Sequence, residues 1–232
     1  MHCIVTAGAT WEPIDQVRRL TNFSTGSLGT SLARHFASAG HSVELLLSDA
    51  APAPSDLPGA SLTVTRFSTT SSLEALFQSR CTSNPVALFH AAAVSDFQVA
   101  GSHERRSDGS FVPLSAGKLS TRDGRLWIEL SPTPKILPKL RGWYPAARII
   151  GWKYETDGTR ADVLARVARQ FSESRNDACV ANGPAYGDGF GLVRPDGSVL
   201  DLADRPALLD ALLHDLNRFA ASSPSSPPRS GH

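Results

Sequence analysis

A loop of small and polar residues, Thr6-Ala7-Gly8-Ala9-Thr10, follows the first apolar run of the chain. Ligands of open α/β sheets bind outside the carboxyl ends of the strands, so a loop at this position can lie against a ligand. It is not a G-x-G-x-x-G dinucleotide fingerprint, because Gly8 is its only glycine and Trp11-Glu12-Pro13 excludes a helix that starts at once. Taken alone, the loop is equally well a plain turn.

The stretch Asn22-Phe23-Ser24-Thr25-Gly26-Ser27-Leu28-Gly29 gives the strongest indication of a phosphate. It places an amide, hydroxyls and glycines at the start of the first amphipathic helix, where unpaired backbone N–H groups and the helix dipole favour an anion. Gly26 would let the backbone approach that anion closely. Capping by Ser24 or Thr25 is the alternative, but a cap needs only one such residue. We therefore predict that this stretch, together with Gly8, binds a phosphorylated ligand.

Two further stretches carry candidate side chains. Phe89-His90-Ala91-Ala92-Ala93-Val94-Ser95-Asp96-Phe97 ends another apolar strand, and its small residues would allow a base or ribose to lie against the backbone. Asp96 could hold a ribose hydroxyl or an amine, or cap the next element, while His90 is more often a core histidine than a general base. Lys118, beside Gly117, could close over a phosphate or be an ordinary solvated lysine.

The elements that must position these residues alternate between strands and helices. Helical spacing of Leu28, Leu32 and Phe36 predicts a helix closed by Gly40, and further helices are predicted near 73–77, over 163–171 and from Asp204-Arg205-Pro206 onward. Short apolar runs predict strands at 3–7, 43–47, 62–67, 86–90, 149–152 and 178–181. This alternation predicts an α/β fold, a Rossmann-like, doubly wound and mainly parallel sheet with helices on both faces.

Two segments interrupt the alternation and predict β-hairpin excursions used as a flap or as dimer contacts. The first, 101–130, has Arg122-Asp123-Gly124 as its turn, and the second, 190–202, has Asp196-Gly197. We expect a single domain over 1–221. The Ser/Pro-rich segment 222–232 cannot bury a core, so we expect it to be disordered.

Composition limits the classes of function. The 232 residues are 41% hydrophobic and 19% charged with a net charge of +1, values typical of a globular domain without a bulk electrostatic attraction to nucleic acid or a membrane surface. No signal peptide or membrane-spanning run is recognisable. Three cysteines without paired spacing are expected to be free thiols, and the cytoplasm is the expected compartment.

Taken together, the stretches resemble the phosphopantothenoylcysteine synthetase family, in order from about Ile4 to about Asn182. The resemblance also includes pieces that do not stand out alone. They are Val17-Arg18-Arg19-Leu20-Thr21, Lys118-Leu119, Pro134-Lys135-Ile136-Leu137 and Gly151-Trp152-Lys153-Tyr154-Glu155-Thr156.

The resemblance implies an acid–amino-acid ligase of coenzyme A biosynthesis. Such an enzyme transfers a nucleotidyl group from CTP or ATP to the carboxylate of 4'-phosphopantothenate, releasing pyrophosphate, and cysteine then displaces the nucleotide to form an amide. The site must shield that hydrolysable intermediate from water. By matching position, Asn22 would hold the acyl intermediate with Arg18 nearby, and Lys118 would lie over the α-phosphate. The nucleotide would be bound by Ala92, Ala93 and Asp96, and by Trp152, for which a role in the core is an equal alternative. The substrate would be bound by Gly8, Ser24, Thr25 and Gly26.

The resemblance also implies a homodimer and a magnesium ion that arrives with the nucleotide, with no dedicated protein metal site. The flavin-dependent decarboxylase half that often precedes this domain is missing, so we expect no FMN. The chain keeps only the first lysine of the lysine-rich run that bacterial members carry around Lys118. Gln170 and Ser174 stand where those members have helix lysines. The choice between CTP and ATP therefore stays open.

Two other functions are compatible with parts of the pattern. An NAD(P)-dependent short-chain reductase shares the sheet, but it needs a lysine four residues after a tyrosine, and Tyr144, Tyr154 and Tyr186 all lack one. A non-catalytic nucleotide-binding relative of the synthetases is the second alternative, which the altered helix lysines keep open.

Overall fold

The computed structural model describes residues 1–52, 54, 61–114 and 125–222. Lys118, the predicted turn at 122–124 and the predicted tail beyond Ser222 lie outside these residues. No helix among the described residues is long and apolar enough to cross a bilayer. In chain order the elements are β1 (His2–Ala7), β2 (Trp11–Pro13), β3 (Arg19–Thr21), α1 (Ser27–Ser38), β4 (Ser42–Ser48), β5 (Leu62–Phe67), α2 (Thr70–Ser79), β6 (Ala87–His90), β7 (Phe97–Arg105), β8 (Phe111–Pro113), β9 (Arg125–Pro132), α3 (Leu137–Trp143), β10 (Arg148–Tyr154), α4 (Arg160–Ser174), β11 (Ala178–Asn182), β12 (Phe190–Val193), β13 (Val199–Leu202) and α5 (Arg205–Ser222).

An eight-stranded sheet in the order β13-β12-β11-β10-β6-β1-β4-β5 forms the centre of the fold. Six neighbouring strands of this sheet are parallel, namely β11, β10, β6, β1, β4 and β5. Strands β12 and β13 add an antiparallel edge beside β11. Counted along the chain, the parallel strands have the order 3-2-1-4-5-6 of dinucleotide-binding folds, with a topological switch point between β1 and β6. The predicted Rossmann-like, mainly parallel α/β fold is confirmed.

Helices cover both faces of this sheet, as predicted. On one face α1 and α5 bury Phe36 and Leu212 against the strands. On the other face α2 and α3 bury Phe77 and Leu140, and α4 buries Val163. Alternate residues of each parallel strand enter the two cores, which is why the strands are continuous apolar runs.

Helix α1 follows the predicted spacing and its end has a clear physical cause. Gly40 has a φ of +86°, and its N–H donates to the carbonyl of Ala37 while the N–H of His41 donates to that of Phe36. This Schellman arrangement pairs carbonyls that the helix end would leave free, and it needs the left-handed conformation that glycine adopts without strain.

A separate three-stranded sheet, which we call the arm (residues 97–114 and 125–132), has the strand order β8-β7-β9. Strand β9 pairs with β7 rather than with β8. The hairpin turn predicted at Arg122-Asp123-Gly124 lies outside the described residues and stays a prediction. The described tight turn contains Gly109 and joins β7 to β8. Strand β7 was not predicted because a bulge between Val99 and Gly101 breaks its alternation.

The second predicted hairpin, β12–β13 with its turn at Asp196-Gly197, is confirmed. It extends the central sheet beyond β11 instead of leaving it as an excursion, since Leu192 pairs with Val180 and is buried in the main core. The last helix also begins as predicted, where the Asp204 carboxylate accepts a hydrogen bond of 2.9 Å from the N–H of Ala207.

Candidate active site

The loops that follow β1 and β6 are hydrogen-bonded to each other at the switch point. The N–H of Ala93 donates to the carbonyl of Gly8 (2.9 Å), and the N–H of Thr10 donates to the carbonyl of Ala93 (3.1 Å). The Thr10 hydroxyl also accepts from the N–H of Ser95 (2.8 Å). In dinucleotide-binding enzymes the cofactor crosses the sheet edge at this point, in a crevice between the two loops. In this protein the backbone hydrogen bonds between the loops close that crevice.

The glycines of the predicted phosphate loop bring α1 against the end of β1. Gly26 has a φ of +75°, and a Cβ there would lie 2.9 Å from the nitrogen of Gly8. A Cβ on Gly29 would lie 2.7 Å from both the Cβ of Ala7 and the carbonyl oxygen of Thr6. These close approaches need glycine for packing, whether or not a ligand is bound.

The N-terminus of α1 is capped only in part. Its N-cap residue is Gly26, while Thr25 Oγ1 accepts a hydrogen bond of 3.3 Å from the N–H of Ser27, the first residue of the helix. Thr25 therefore pairs one of the first N–H groups, as the capping alternative expects, and Ser24 caps none of them among the described contacts. The helix dipole and the other first N–H groups remain available for an anion.

Asn22 and Arg18 lie in the segment that leads to this helix. Asn22 is exposed, and its Nδ2 donates to the carbonyl of Val94 (3.3 Å), which attaches its loop to the loop after β6. The Arg18 guanidinium forms an ion pair with Asp15, in which Arg18 Nη2 lies 2.6 Å from Asp15 Oδ2. Arg18 thus meets any substrate as part of an ion pair.

A cavity of about 300 Å³ opens between the carboxyl ends of β6 and β10 and the helices α3 and α4. Ala92, Asp96 and Trp152, all predicted to bind a nucleotide, line it. Ala93 does not, because its N–H and carbonyl are used to join the two loops. Further lining side chains come from His90, Lys135, Leu137, Lys153, Arg166, Arg169, Gln170 and Glu173.

Basic side chains outnumber acidic ones around this cavity. Lys135 pairs with Asp96 at its rim, and both side chains are more than half exposed. Arg169 lies 3.8 Å from Glu173, in a pair that is also mostly exposed. Exposed ion pairs contribute little free energy, so these cations can turn toward an anionic ligand at small cost.

The inner basic residues of the cavity converge on one carboxylate. Arg166 pairs with Glu155, and Lys153 Nζ lies 3.4 Å from the same carboxylate. Sequence reasoning assigned no role to Lys135, Lys153 or Arg166. Lys135 and Lys153 did stand inside the motifs that carried the resemblance, which was the available signal.

Trp152 has two environments. Its side chain packs against the core between the sheet and α5, while the residue also lines the cavity. The indole Nε1 is buried and has no hydrogen-bond partner among the described residues, and the same holds for Oδ1 of Asn182. Trp152 on β10 and Asn182 at the end of β11 lie toward the carboxyl edge of the sheet, so these two unsatisfied atoms are on the side where a ligand is expected.

Among the described residues there is no group of three or more His, Cys, Asp or Glu side chains placed to hold a metal ion. The three cysteines are free thiols. Burial raises the pKa of Cys3 and of Cys179 to about 12, so neither thiol is a nucleophile at neutral pH.

Comparison with known proteins assigns the chain to one family. Residues 1–207 match the family model described as "DNA/pantothenate metabolism flavoprotein C-terminal domain", and the chain belongs to this family. The family resemblance inferred from the sequence is thereby confirmed.

Individual relatives agree with this assignment. The coenzyme A biosynthesis bifunctional protein CoaBC of Thermococcus kodakarensis is 30% identical over 77% of this chain and 40% of its own length. The human phosphopantothenate–cysteine ligase is 28% identical over 77% of this chain and 71% of its own length. A crystal structure of the DNA/pantothenate metabolism flavoprotein from Streptococcus pneumoniae superposes with a TM-score of 0.83 at 26% identity, over 94% of this chain and 99% of that one. The chain spans about two fifths of the length of the CoaBC relative.

Proposed function

We propose that this protein is a phosphopantothenate–cysteine ligase that activates 4'-phosphopantothenate with CTP or ATP and joins it to cysteine. The observation that carries the proposal is that Asn22, in the segment that leads to α1, donates to the carbonyl of Val94, a residue that lines the basic cavity. The human relative is named as a phosphopantothenate–cysteine ligase.

The cavity suits the nucleotide. The backbone of Ala92 and the carboxylate of Asp96 lie at its opening, where they can meet a base and a ribose. Arg166, Arg169 and Lys153 supply positive charge for the phosphates in the place of the helix lysines of other members. Magnesium would arrive on the triphosphate and neutralise part of its charge.

The start of α1 suits the acyl substrate. Its free N–H groups can donate hydrogen bonds to the phosphate of phosphopantothenate, and Asn22, in the segment before the helix, is bonded to the loop after β6. Asn22 can therefore orient the carboxylate oxygen toward the α-phosphorus during activation and the acyl carbon toward the amine of cysteine afterwards. Holding the reacting groups in place and excluding water is the main contribution of such a site.

Two observations argue against a reductase. The loops after β1 and β6 close the crevice in which a dinucleotide would bind, and two tyrosines hold their protons tightly. The Tyr144 hydroxyl is buried and donates to the carbonyl of Phe77, and burial raises its pKa. Burial, together with the hydrogen bond to Asp201, raises the pKa of Tyr186 to about 12. A reductase needs a tyrosine that gives up its proton readily, and neither group does.

The proposal is tested by incubating the purified protein with 4'-phosphopantothenate, cysteine, magnesium and either CTP or ATP, and measuring pyrophosphate release and the amide product. Pyrophosphate release that depends on phosphopantothenate is expected with at least one nucleotide. If neither nucleotide gives pyrophosphate, although calorimetry shows that one of them binds, the non-catalytic alternative is correct.

We predict that Lys118→Gln lowers turnover by about tenfold or more while leaving the fold intact, because on the proposed function this lysine would lie over the reacting phosphate. Single-turnover pyrophosphate release measures the effect. Lys139→Gln is the matched control, since Lys139 pairs with Glu74 on α2 and does not line the cavity. Equal rates for the two variants would show that Lys118 has no role in the reaction.

We also propose that the arm joins two copies of the chain. Leu126, Ile128 and Leu130 lie on one face of β9 and are each more than a third exposed. On the opposite face Phe111 and Trp127 are about half exposed. A second copy that packs against the arm would remove this apolar surface from water, which the monomer leaves exposed on both faces.

Ile128→Glu is expected to convert the dimer to a monomer, because the carboxylate would be buried without a partner at the interface. Sedimentation velocity measures the molecular mass. Leu200→Glu is the control, because Leu200 is similarly exposed on β13, outside the arm. A wild-type protein that sediments as a monomer at micromolar concentration would disprove the proposal.

A further inference from the structure

His90 is a buried histidine that the proposed reaction leaves without a role. It ends β6, lies directly opposite Thr6 of β1 and is only 6% exposed. Its ring packs edge-on against Phe77, and it is one of the residues that line the nucleotide cavity. The sequence predicted a core histidine, and the burial of His90 confirms this prediction. A core role does not explain why His90 also lines the cavity.

The hydrogen bonds of Thr6 fix which ring nitrogen of His90 carries the proton. Thr6 Oγ1 accepts from the N–H of Ala92 at 3.0 Å and lies 2.9 Å from His90 Nδ1. Thr6 is 1% exposed, and its hydroxyl makes no hydrogen bond to any other group among the described residues. A buried hydroxyl that kept this proton unpaired would lose free energy, so Thr6 donates to Nδ1. Nδ1 is then an acceptor and Nε2 bears the proton.

The charge state of the ring agrees with this assignment. Burial lowers the pKa of His90 to about 4, so the imidazole is neutral at the pH of the cytoplasm. A neutral ring whose Nδ1 accepts a hydrogen bond has one donor left, the Nε2–H group. This donor has no partner within the described part of the chain, and it is not one of the fully buried unpaired atoms. The small exposure of His90 therefore belongs to the side that lines the cavity.

We infer that His90 is a ligand-binding residue whose Nε2–H, held in this tautomer by Thr6, donates a hydrogen bond to an acceptor oxygen or ring nitrogen of the bound nucleotide. The inference rests on the proposed function, because it requires a nucleotide in the cavity. The same Thr6 hydroxyl orients the N–H of Ala92, so one side chain positions two parts of the nucleotide site.

A neutral donor has a specific value among so many cations. Lys153, Arg166 and Arg169 attract any polyanion, including the pyrophosphate that must leave. A neutral N–H in a fixed direction adds little attraction for charge, and instead favours a ligand that places an acceptor at one position. His90 thus contributes to recognition of the nucleotide rather than to general anion binding.

Nitrogen NMR of the full chain labelled with ¹⁵N-histidine tests the tautomer directly, with His90→Gln used to assign the signals. In the free wild-type protein, the spectrum is expected to show a protonated Nε2 and an unprotonated Nδ1 for His90 at neutral pH. Addition of CTP, and separately of ATP, is expected to shift the Nε2–H signal. A protonated Nδ1, or an unshifted signal when calorimetry shows that a nucleotide is bound, would overturn the inference.

Binding measurements on variants give an independent test. His90→Leu keeps an apolar side chain and should weaken nucleotide binding about three- to tenfold, as expected for one lost hydrogen bond. His90→Gln retains an N–H donor and should bind within about threefold of wild type, while the affinity of both variants for phosphopantothenate alone is unchanged. Equal nucleotide affinity in all three proteins would contradict the role of His90.

The two proposals fail in different ways. If the wild-type protein binds neither nucleotide in calorimetry, the proposed function is wrong and the contact is wrong with it. If the wild-type protein binds a nucleotide and releases pyrophosphate but His90→Leu binds equally well, only the role of His90 is wrong. Should His90→Leu not fold, as judged by circular dichroism, the NMR result on the wild-type protein still decides.

Discussion

Asn22→Asp is expected to reduce amide formation by about a hundredfold or more, the size of effect seen when a preorganised donor is removed from a reacting centre. The amide Nδ2 of Asn22 donates to the carbonyl of Val94, and a carboxylate at this position has no proton to donate. The new charge would also face the phosphates that the neighbouring loop and cavity are proposed to bind. Both effects act on the bound substrates.

The stability of the same variant should change little, which separates a chemical effect from unfolding. Asn22 is exposed and precedes the start of α1, where a negative charge interacts favourably with the helix dipole. We expect the free energy of unfolding to stay within about 0.5 kcal/mol of wild type. Urea unfolding and product formation are measured on the same preparation.

Asn84→Asp provides a matched control for this experiment. Asn84 is exposed and lies before β6, at the end of the sheet opposite the candidate site, so the identical chemical change is made far from the cavity. Its product formation should equal that of the wild-type protein. If Asn22→Asp also formed product at the wild-type rate, Asn22 would have no part in holding the acyl intermediate.

The sequence predicted those elements whose pattern is local. The spacing of Leu28, Leu32 and Phe36 and the position of Gly40 define α1 without reference to the rest of the chain. The apolar runs at β1, β4 and β6 are likewise recognisable because strands buried on both faces admit few polar residues. Strand β7 escaped prediction because its bulge shifts the alternation by one residue.

The contacts of the candidate site are less accessible to sequence reasoning because they join distant segments. Asn22 reaches a carbonyl 72 residues away, and Lys135 reaches Asp96 across 39 residues. Only the strand order places these segments at one edge of the sheet. Lys135, between Pro134 and Pro138, has no property that marks it as a cavity residue until the strand order is known.

The closed crevice shows a similar limit. Small residues at Gly8 and Ala93 suggested room for a ligand against the backbone, and the structure instead uses their smallness to pair the two loops. Composition indicates that a backbone can be approached closely, but not whether a ligand or another segment approaches it.

Gly8→Ala is expected to lower the free energy of unfolding by about 2–5 kcal/mol, from two separable causes. Gly8 has a φ of +86°, where a side chain costs about 1–2 kcal/mol. A Cβ there would also lie 2.6 Å from the Cβ of Ser48, which is fully buried and fixed by the hydrogen bond that its hydroxyl donates to the carbonyl of Ala9. Overpacking of this kind costs about 1–3 kcal/mol.

Gly40→Ala separates the two causes. Gly40 has the same φ of +86° but a Cβ built on it would meet no atom within 4 Å, so this variant should show only the conformational cost. Urea unfolding of the two variants beside the wild-type protein gives both midpoints, and an unchanged slope would show that the unfolded state is unaffected. If Gly8→Ala were no less stable than Gly40→Ala, the end of β1 would be loosely packed, and the close approach of Gly26 and Gly8 would not be what holds α1 at the candidate site.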